Sequence, residues 1–214
     1  MQKRAKWKLA QKLELWWWKQ YLAKKETNQY SNWKSDYWNK FLITCHFNPN
    51  KKLNILDAGC GPAGIFTVLQ NHTVTAIDPL LDKYHSQLKH FDKSHYPWVD
   101  FQSVPLEEFR TNQKFDTIFC INAINHVNHL EEAIGRLTGL LNENGTLYLT
   151  TDCHKRNFLK WLFRAIPGDA LHPHQHTVVD YENLLVSQGF KIELVETLKP
   201  GNIFDYTLFT LKHA

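Results

Sequence analysis

The sequence predicts an α/β chain built on an open, mostly parallel sheet of seven strands, preceded by helices. Three observations carry this. First, an apolar run, Leu53, Ile55 and Leu56, ends at Asp57 and is followed by Gly59, Gly61 and Gly64. That is a buried strand feeding a turn in which glycine allows positive φ and close approach of a ligand to bare backbone. Second, further β-branched and apolar runs at Thr73–Ile77, residues 98–101, 114–121 and 146–151 alternate with segments of helical period, the pattern of β-α-β units. Third, the C-terminal end carries strand-like runs at residues 190–197 and 206–211, joined by Lys199, Pro200, Gly201 and Asn202. Such a pair suits an antiparallel closure of the sheet.

The chain has 214 residues, so one α/β domain with an N-terminal extension is the natural organisation. We divide it into a helical extension, residues 1–50, and a sheet domain, residues 51–214, with Asn48, Pro49 and Asn50 as the linker. A hydrophobic share of 43% supports a sizeable core and excludes a disordered chain. The net charge of +4 neither demands nor excludes nucleic acid. Cys45, Cys60, Cys120 and Cys153 form no C-x-x-C pair. They read as reduced, buried residues of a cytoplasmic protein rather than as a zinc site or disulfide set. No apolar run is long enough to span a bilayer, and the basic N-terminus lacks the apolar centre of a signal peptide.

Residues 1–25 read as one amphipathic helix, with Leu9, Leu13, Trp16, Trp17 and Tyr21 at helical spacing among Lys and Gln. A Lys-rich helix with Trp suits a membrane surface. The extra apolar residues Leu15, Trp18 and Leu22 favour burial over the domain or a homodimer contact. A second helix is expected at residues 32–47, with Trp33, Tyr37, Trp38 and Phe41 inward.

Asp57-x-Gly59-x-Gly61 at the end of a first strand resembles motif I of the class I, Rossmann-like S-adenosylmethionine (SAM)-dependent methyltransferases. The glycines alone also fit a dinucleotide fingerprint. An adjacent carboxylate repels a pyrophosphate and attracts the amino group of SAM. The third glycine position holds Ala63, with Gly64 just after. A helix is expected from about residue 63 to 71. The resemblance implies SAM as cofactor, S-adenosylhomocysteine as product, and N-terminal helices acting as a lid over the cleft. It implies cofactor contacts from Asp57, Gly59, Cys60, Gly61 and Gly64. Asp78, at the end of the second strand and followed by Pro79, falls where an acid holds the ribose; it also suits a helix N-cap. Ser103 and Val104 follow the third strand, where the family contacts adenine.

Residues 114–121 resemble the family's FD-x-I/V strand, which places Asn122 beside the cofactor and Asn125 and His126 in the cleft. The Asn142–Gly145 stretch reads as a turn into the fifth strand, with His154 at its carboxyl end and a helix over residues 155–166. His172, His174 and His176 lie in a polar loop before a helix with Thr177 as N-cap and Gly189 as C-cap. We take Tyr37, Trp38, Asn125, His154, His172 and His174 as acceptor-contact candidates. Core packing and loop capping are the competing readings for these residues. His126 is the candidate general base, because imidazole titrates near neutral pH. The three loop histidines allow a metal site, but no supporting ligand shell is visible and no metal is expected.

The function expected is transfer of a methyl group from SAM to an O or N nucleophile of a small, aromatic or heterocyclic molecule. Alternatives are a SAM-binding enzyme of the same fold doing non-methylating, cyclase-type chemistry, an NAD-type oxidoreductase, and a non-catalytic partner or membrane-docking protein. A nucleic-acid acceptor is disfavoured by the mild charge and by the lack of the family's N/D-PP-Y/F sequence after the fourth strand.

Overall fold

The computed structural model describes residues 2–48, 50–155 and 176–214. Two helices come first, α1 (Gln2–Ala23) and α2 (Thr27–Thr44). The second helix starts five residues earlier than its apolar pattern suggests. The cause is a cap: the Glu26 carboxylate accepts from the N–H groups of Asn28 and Gln29, at 3.0 and 2.6 Å.

The strands are β1 (Asn54–Ala58), β2 (Thr73–Ile77), β3 (Val99–Gln102), β4 (Phe115–Ile121), β5 (Leu141–His154), β6 (Phe190–Lys199) and β7 (Phe204–His213). They form one sheet in the order β3-β2-β1-β4-β5-β7-β6. The first five strands pair in parallel, and β7 runs antiparallel to both β5 and β6. The strand order reverses at β1 and β4, so their carboxyl ends open a crevice at the switch point.

Helices α3 (Leu81–Gln87), α4 (Leu130–Leu140) and α5 (Val178–Ser187) complete the chain. The α4 residues Leu130, Ala133, Ile134 and Leu137 are buried at i, i+3, i+4 and i+7. They pack with Leu56, Ile118 and Leu149 on one face of the sheet. Removing one such leucine side chain costs about 2–5 kcal/mol. On the other face, Leu22 of α1 and Tyr30, Trp38 and Phe41 of α2 share a core with Ile55, Phe66, Tyr84 and Phe119. The N-terminal helices are therefore packed into the molecule rather than tethered to it. α5 begins at a capping box, in which Thr177 and Asp180 exchange side-chain and backbone hydrogen bonds. Gly189, at φ 87°, follows its last turn.

Two expectations are corrected. The helix expected from residue 63 is replaced by two 3-10 turns, Gly61–Ala63 and Ile65–Val68. Pro62 and Gly64 interrupt a longer helix, and the Asp57 carboxylate captures the Phe66 N–H at 3.1 Å. The turn expected at residues 142–145 lies inside β5. There the pairing with β4 jumps from Phe115 and Leu141 to Thr117 and Thr146. That bulge is held by Asn142 Nδ2 donating to Asp116 Oδ1 at 2.7 Å.

Candidate functional site

A cleft of about 710 Å³ opens at the carboxyl ends of β1, β2, β4 and β5, beneath α1 and α2. Its floor is the glycine turn. The N–H groups of Gly59 and Cys60 both donate to Ile77 O, at 2.8 and 3.1 Å, which fastens the turn to β2. Gly59 has φ 74° and Gly61 φ 58°, so glycine is required at both. A methyl group at Gly64 would stand 2.5 Å from Asp57 Oδ2; this glycine lets the chain cross the buried carboxylate.

Asp57 is 2% exposed. Burial pushes its carboxyl up to about 7, against the backbone N–H groups of Phe66 and Ile65 and the charge of Lys34, which pull it down. Asp78 lies across the turn from it. One Asp78 oxygen accepts from Gly61 N at 3.1 Å and the other from Leu80 N at 2.8 Å. Burial, then the nearby carboxylate of Glu14, pushes Asp78 up to about 7 as well. Asp78 caps the chain locally, two residues before the Leu80 N-cap position of α3.

The helices supply the roof. Trp38 Nε1 donates to Ala63 O at 2.9 Å, docking α2 onto the glycine turn. Lys34 Nζ sits 4.8 Å from the Trp38 ring and 5.0 Å from that of Tyr37. Burial lowers its pKa to about 8, and Asp57 acts to raise it. From α1, Glu14 accepts from the Tyr84 hydroxyl at 3.0 Å, and burial raises its carboxyl above the usual range. Among the described residues the cleft is lined by five acids, Glu14, Asp57, Asp78, Glu107 and Asp152, and by two lysines, Lys34 and Lys199. Such a lining favours a cation.

The far wall is built by β4, β5 and β7. Asn122 follows β4 at φ 52°, a left-handed position that Asn tolerates. Its N–H donates to Thr150 Oγ1 and Thr150 O, both at 3.0 Å. The Tyr206 hydroxyl lies 2.6 Å from Thr150 Oγ1. It is also hydrogen-bonded to the Tyr37 hydroxyl, and burial pushes its pKa up. His126 ends a single 3-10 turn, Ile124–His126, and faces the cleft with Ala123 and Val127.

Of the residues expected to contact a cofactor, Asp57, Gly59, Cys60, Gly61, Gly64, Asp78, Pro79, Val104 and Asn122 line this cleft. Ser103 does not. Its hydroxyl turns to Asp82 N and Pro79 O, at 3.4 and 3.5 Å, outside the cavity. Of the acceptor candidates, Tyr37 and Trp38 line the cleft, as does the candidate base His126. Asn125 does not: it is 2% exposed, because the 3-10 turn directs it and Ile124 into the protein. His154 is equally buried, its ring 4.4 Å from Phe204, and it too lies off the cleft. His172 and His174 fall outside the described residues. Among the described residues no group of three or more His, Cys, Asp or Glu is placed to hold a metal ion.

Sequence reasoning missed Glu14, Lys34, Glu107 and Tyr206. Two of these carried a signal. Glu14 is the sole acid in residues 1–25, and Lys34 stands four residues from Tyr30 and from Trp38 on the inward face of α2.

The chain spans about half the length of the curated relatives it matches. One is the ubiquinone biosynthesis O-methyltransferase of Rickettsia felis, 33% identical over 111 residues, which are 51% of this chain and 45% of that protein. Solved structures share the fold. A TehB-like SAM-dependent methyltransferase from Corynebacterium glutamicum superposes with a TM-score of 0.62 at 16% identity, covering 96% of this chain and 98% of that one. The cyclase SpnF superposes with a TM-score of 0.62 at 14% identity, over 84% of this chain and 80% of its own. A methyltransferase-domain family matches residues 28–195, from the first turn of α2 into β6. The chain belongs to this methyltransferase-domain family.

Proposed function

We propose that the protein is a methyltransferase that takes its methyl group from SAM and passes it to an oxygen or nitrogen of a small molecule. The observation that carries this reading is the pair of buried carboxylates, Asp57 and Asp78, held 2% and 7% exposed on either side of the glycine turn. A ligand that is cationic at one end and carries a vicinal diol fits both acids. SAM fits: its amino group and sulfonium suit Asp57 and the acidic lining, and its ribose suits Asp78. Lys34, which reaches the cleft from α2, suits its carboxylate. Val104 suits the apolar face of its base. The fit is chemical as well as spatial, because burial leaves both acids poorly compensated until a cation or hydroxyl donors reach them.

When bound, SAM supplies an electrophilic methyl group for in-line displacement. The chain's own residues align the acceptor, exclude water and remove a proton. Tyr37, with Tyr206 fixed behind it by Thr150, presents a polar patch toward an acceptor. His126 is placed to take the proton of a hydroxyl acceptor, with Trp17, Trp18 and Trp38 giving the cleft aromatic walls. The naming of sequence relatives as ubiquinone biosynthesis O-methyltransferases supports an oxygen acceptor on a small molecule. Four buried free cysteines support a reducing, cytoplasmic setting. The second reading is cyclase-type chemistry with SAM retained, since a fold shared with SpnF accommodates it.

Calorimetric titration with SAM, S-adenosylhomocysteine and NADH tests the cofactor. Binding of the two sulfur ligands and not NADH is expected. Asp57→Ala should abolish it, and Asp78→Ala should weaken it about 10- to 100-fold, the loss of a charge-assisted hydrogen bond or two. Undiminished SAM affinity in Asp78→Ala would remove the ribose assignment. Product mass then separates methyl transfer from cyclisation.

A further inference from the structure

The helix that roofs the cleft has a second apolar face that the fold does not use. Gln11, Glu14 and Trp18 of α1 line the cleft, and Leu22 is buried beneath it. On the opposite side Leu9, Leu13 and Trp16, at i, i+4 and i+7, form one row. They are 52%, 39% and 60% exposed. Lys12 and Lys19, both exposed, fall on the neighbouring row with Trp16. The charge of this segment is as unusual as its apolarity. Residues 1–25 hold eight Lys and Arg against the single acid Glu14, whereas the remaining residues hold 17 basic against 20 acidic side chains. The positive charge of the whole chain therefore resides in its first helix.

We propose that α1 docks the protein on an anionic lipid surface, lying in the plane of the interface with Leu9, Leu13 and Trp16 inserted among the headgroups. Charge complementarity selects this occupant. Two copies of this helix would bring two strongly basic segments together and repel each other, which disfavours a homodimer through this face. A nucleic acid offers the negative charge but no place for a Leu and Trp row. An anionic bilayer offers both, because basic residues are drawn to its surface potential and Trp and Leu enter the boundary of headgroups and acyl chains. Among the described residues no helix is long and apolar enough to cross a membrane, so the contact is peripheral. The docked face and the cleft are separated by the thickness of one helix, about 10 Å. An acceptor that partitions into lipid would therefore meet the enzyme at its cleft.

Co-sedimentation of the full chain with phosphatidylcholine vesicles, with and without phosphatidylglycerol, tests this. Partitioning onto the anionic vesicles is expected to be at least about 10-fold stronger and to fall as salt is raised. The double variant Leu13→Glu/Trp16→Glu should lose about 10-fold or more of that binding. Both residues lie outside the cleft, so thermal unfolding and SAM calorimetry should match the unsubstituted chain. If that variant fails to fold, Lys12→Glu/Lys19→Glu changes the charge alone and should lower binding in the same direction. Failure of the unsubstituted chain to bind either vesicle overturns the proposal, as does binding that neither variant weakens. A dimer in analytical ultracentrifugation that Leu13→Glu/Trp16→Glu dissociates, without lipid binding, assigns the face to a second copy instead. Capture of an oligonucleotide in the absence of vesicle binding likewise overturns it. None of these outcomes bears on the cofactor reading, which the SAM titration decides separately.

Discussion

His126 reaches the cleft from a turn only three residues long, and its position depends on the left-handed Asn122 just before it. The Asn122 N–H is bound twice by Thr150, so β5 fixes where β4 ends and the 3-10 turn begins. A side chain presented this way is suited to a proton transfer that needs one orientation. His126→Ala is therefore expected to lower turnover about 10²- to 10⁴-fold with a hydroxyl acceptor while leaving SAM affinity unchanged. His126→Asn, which keeps a polar side chain of similar reach, should be comparably slow. Single-turnover kinetics together with calorimetry check this. Undiminished turnover in His126→Ala would move the proton-accepting role to another cleft group, Asp152 being the nearest in chemistry. Asn125 shows the limit of reading at this scale. It neighbours His126 in sequence, yet a 3-10 turn sends the two in different directions, and only the fold decides which faces the ligand.

At the scale of elements, what was legible was what depends on neighbours in sequence. Asp57, Gly59 and Gly61 announce a strand and a turn because positive φ is a local demand, and β2 was bounded correctly by Thr73 and Ile77. The helix expected after the turn was lost to a contact nine residues long, from Asp57 to Phe66, which no periodicity reveals. Glu14 and Lys34 were missed for a related reason. Helical spacing puts Lys34 on the inward face of α2, but it does not say which second element covers its charge or that of Glu14. The bond from Trp38 Nε1 to Ala63 O is the joint between roof and floor. Trp38→Ala removes that bond, the ring beside Lys34 and a buried core side chain, so it should cost about 3–5 kcal/mol in a urea titration. Trp38→Phe removes the bond and keeps most of the ring, so it should cost about 1 kcal/mol. Both should weaken SAM binding. Equal stability of the two variants would show that packing contributes nothing beyond the hydrogen bond.

Taken as a whole, the molecule holds more buried acid around its cleft than it can neutralise, and this sets how its stability depends on pH. Asp57 and Asp78 have ordinary values of 3.8 and are pushed up to about 7, in each case chiefly by burial. The folded chain then keeps protons that the unfolded chain has released. Their contribution is fully present below about pH 4 and is lost as pH rises through about 7. Glu14 is raised for the same reason and acts in the same direction. His72, lowered by burial, acts oppositely below its ordinary 6.5, so the fall should be clearest above that value. Lys34, lowered to about 8 by burial, stays charged up to about pH 7, through the range in which the two acids lose their protons. Between about pH 5 and about pH 8 the ligand-free protein should lose stability, by up to about 3 kcal/mol for one acid, whose folded value near 7 lies two pH units above the start of that window, and by less than twice that for the coupled pair. Asp57→Asn/Asp78→Asn should flatten that slope. Saturating SAM should reduce it too, because a cation bound beside Asp57 favours the ionised acid. Urea titrations at the two pH values, with and without SAM, measure all three effects. A ligand-free stability that does not change between them would mean that both acids are already ionised in the folded protein. Lys34 would then be the counter-charge that holds Asp57 in that form, and SAM would bind by displacing an existing ion pair rather than by supplying a missing cation.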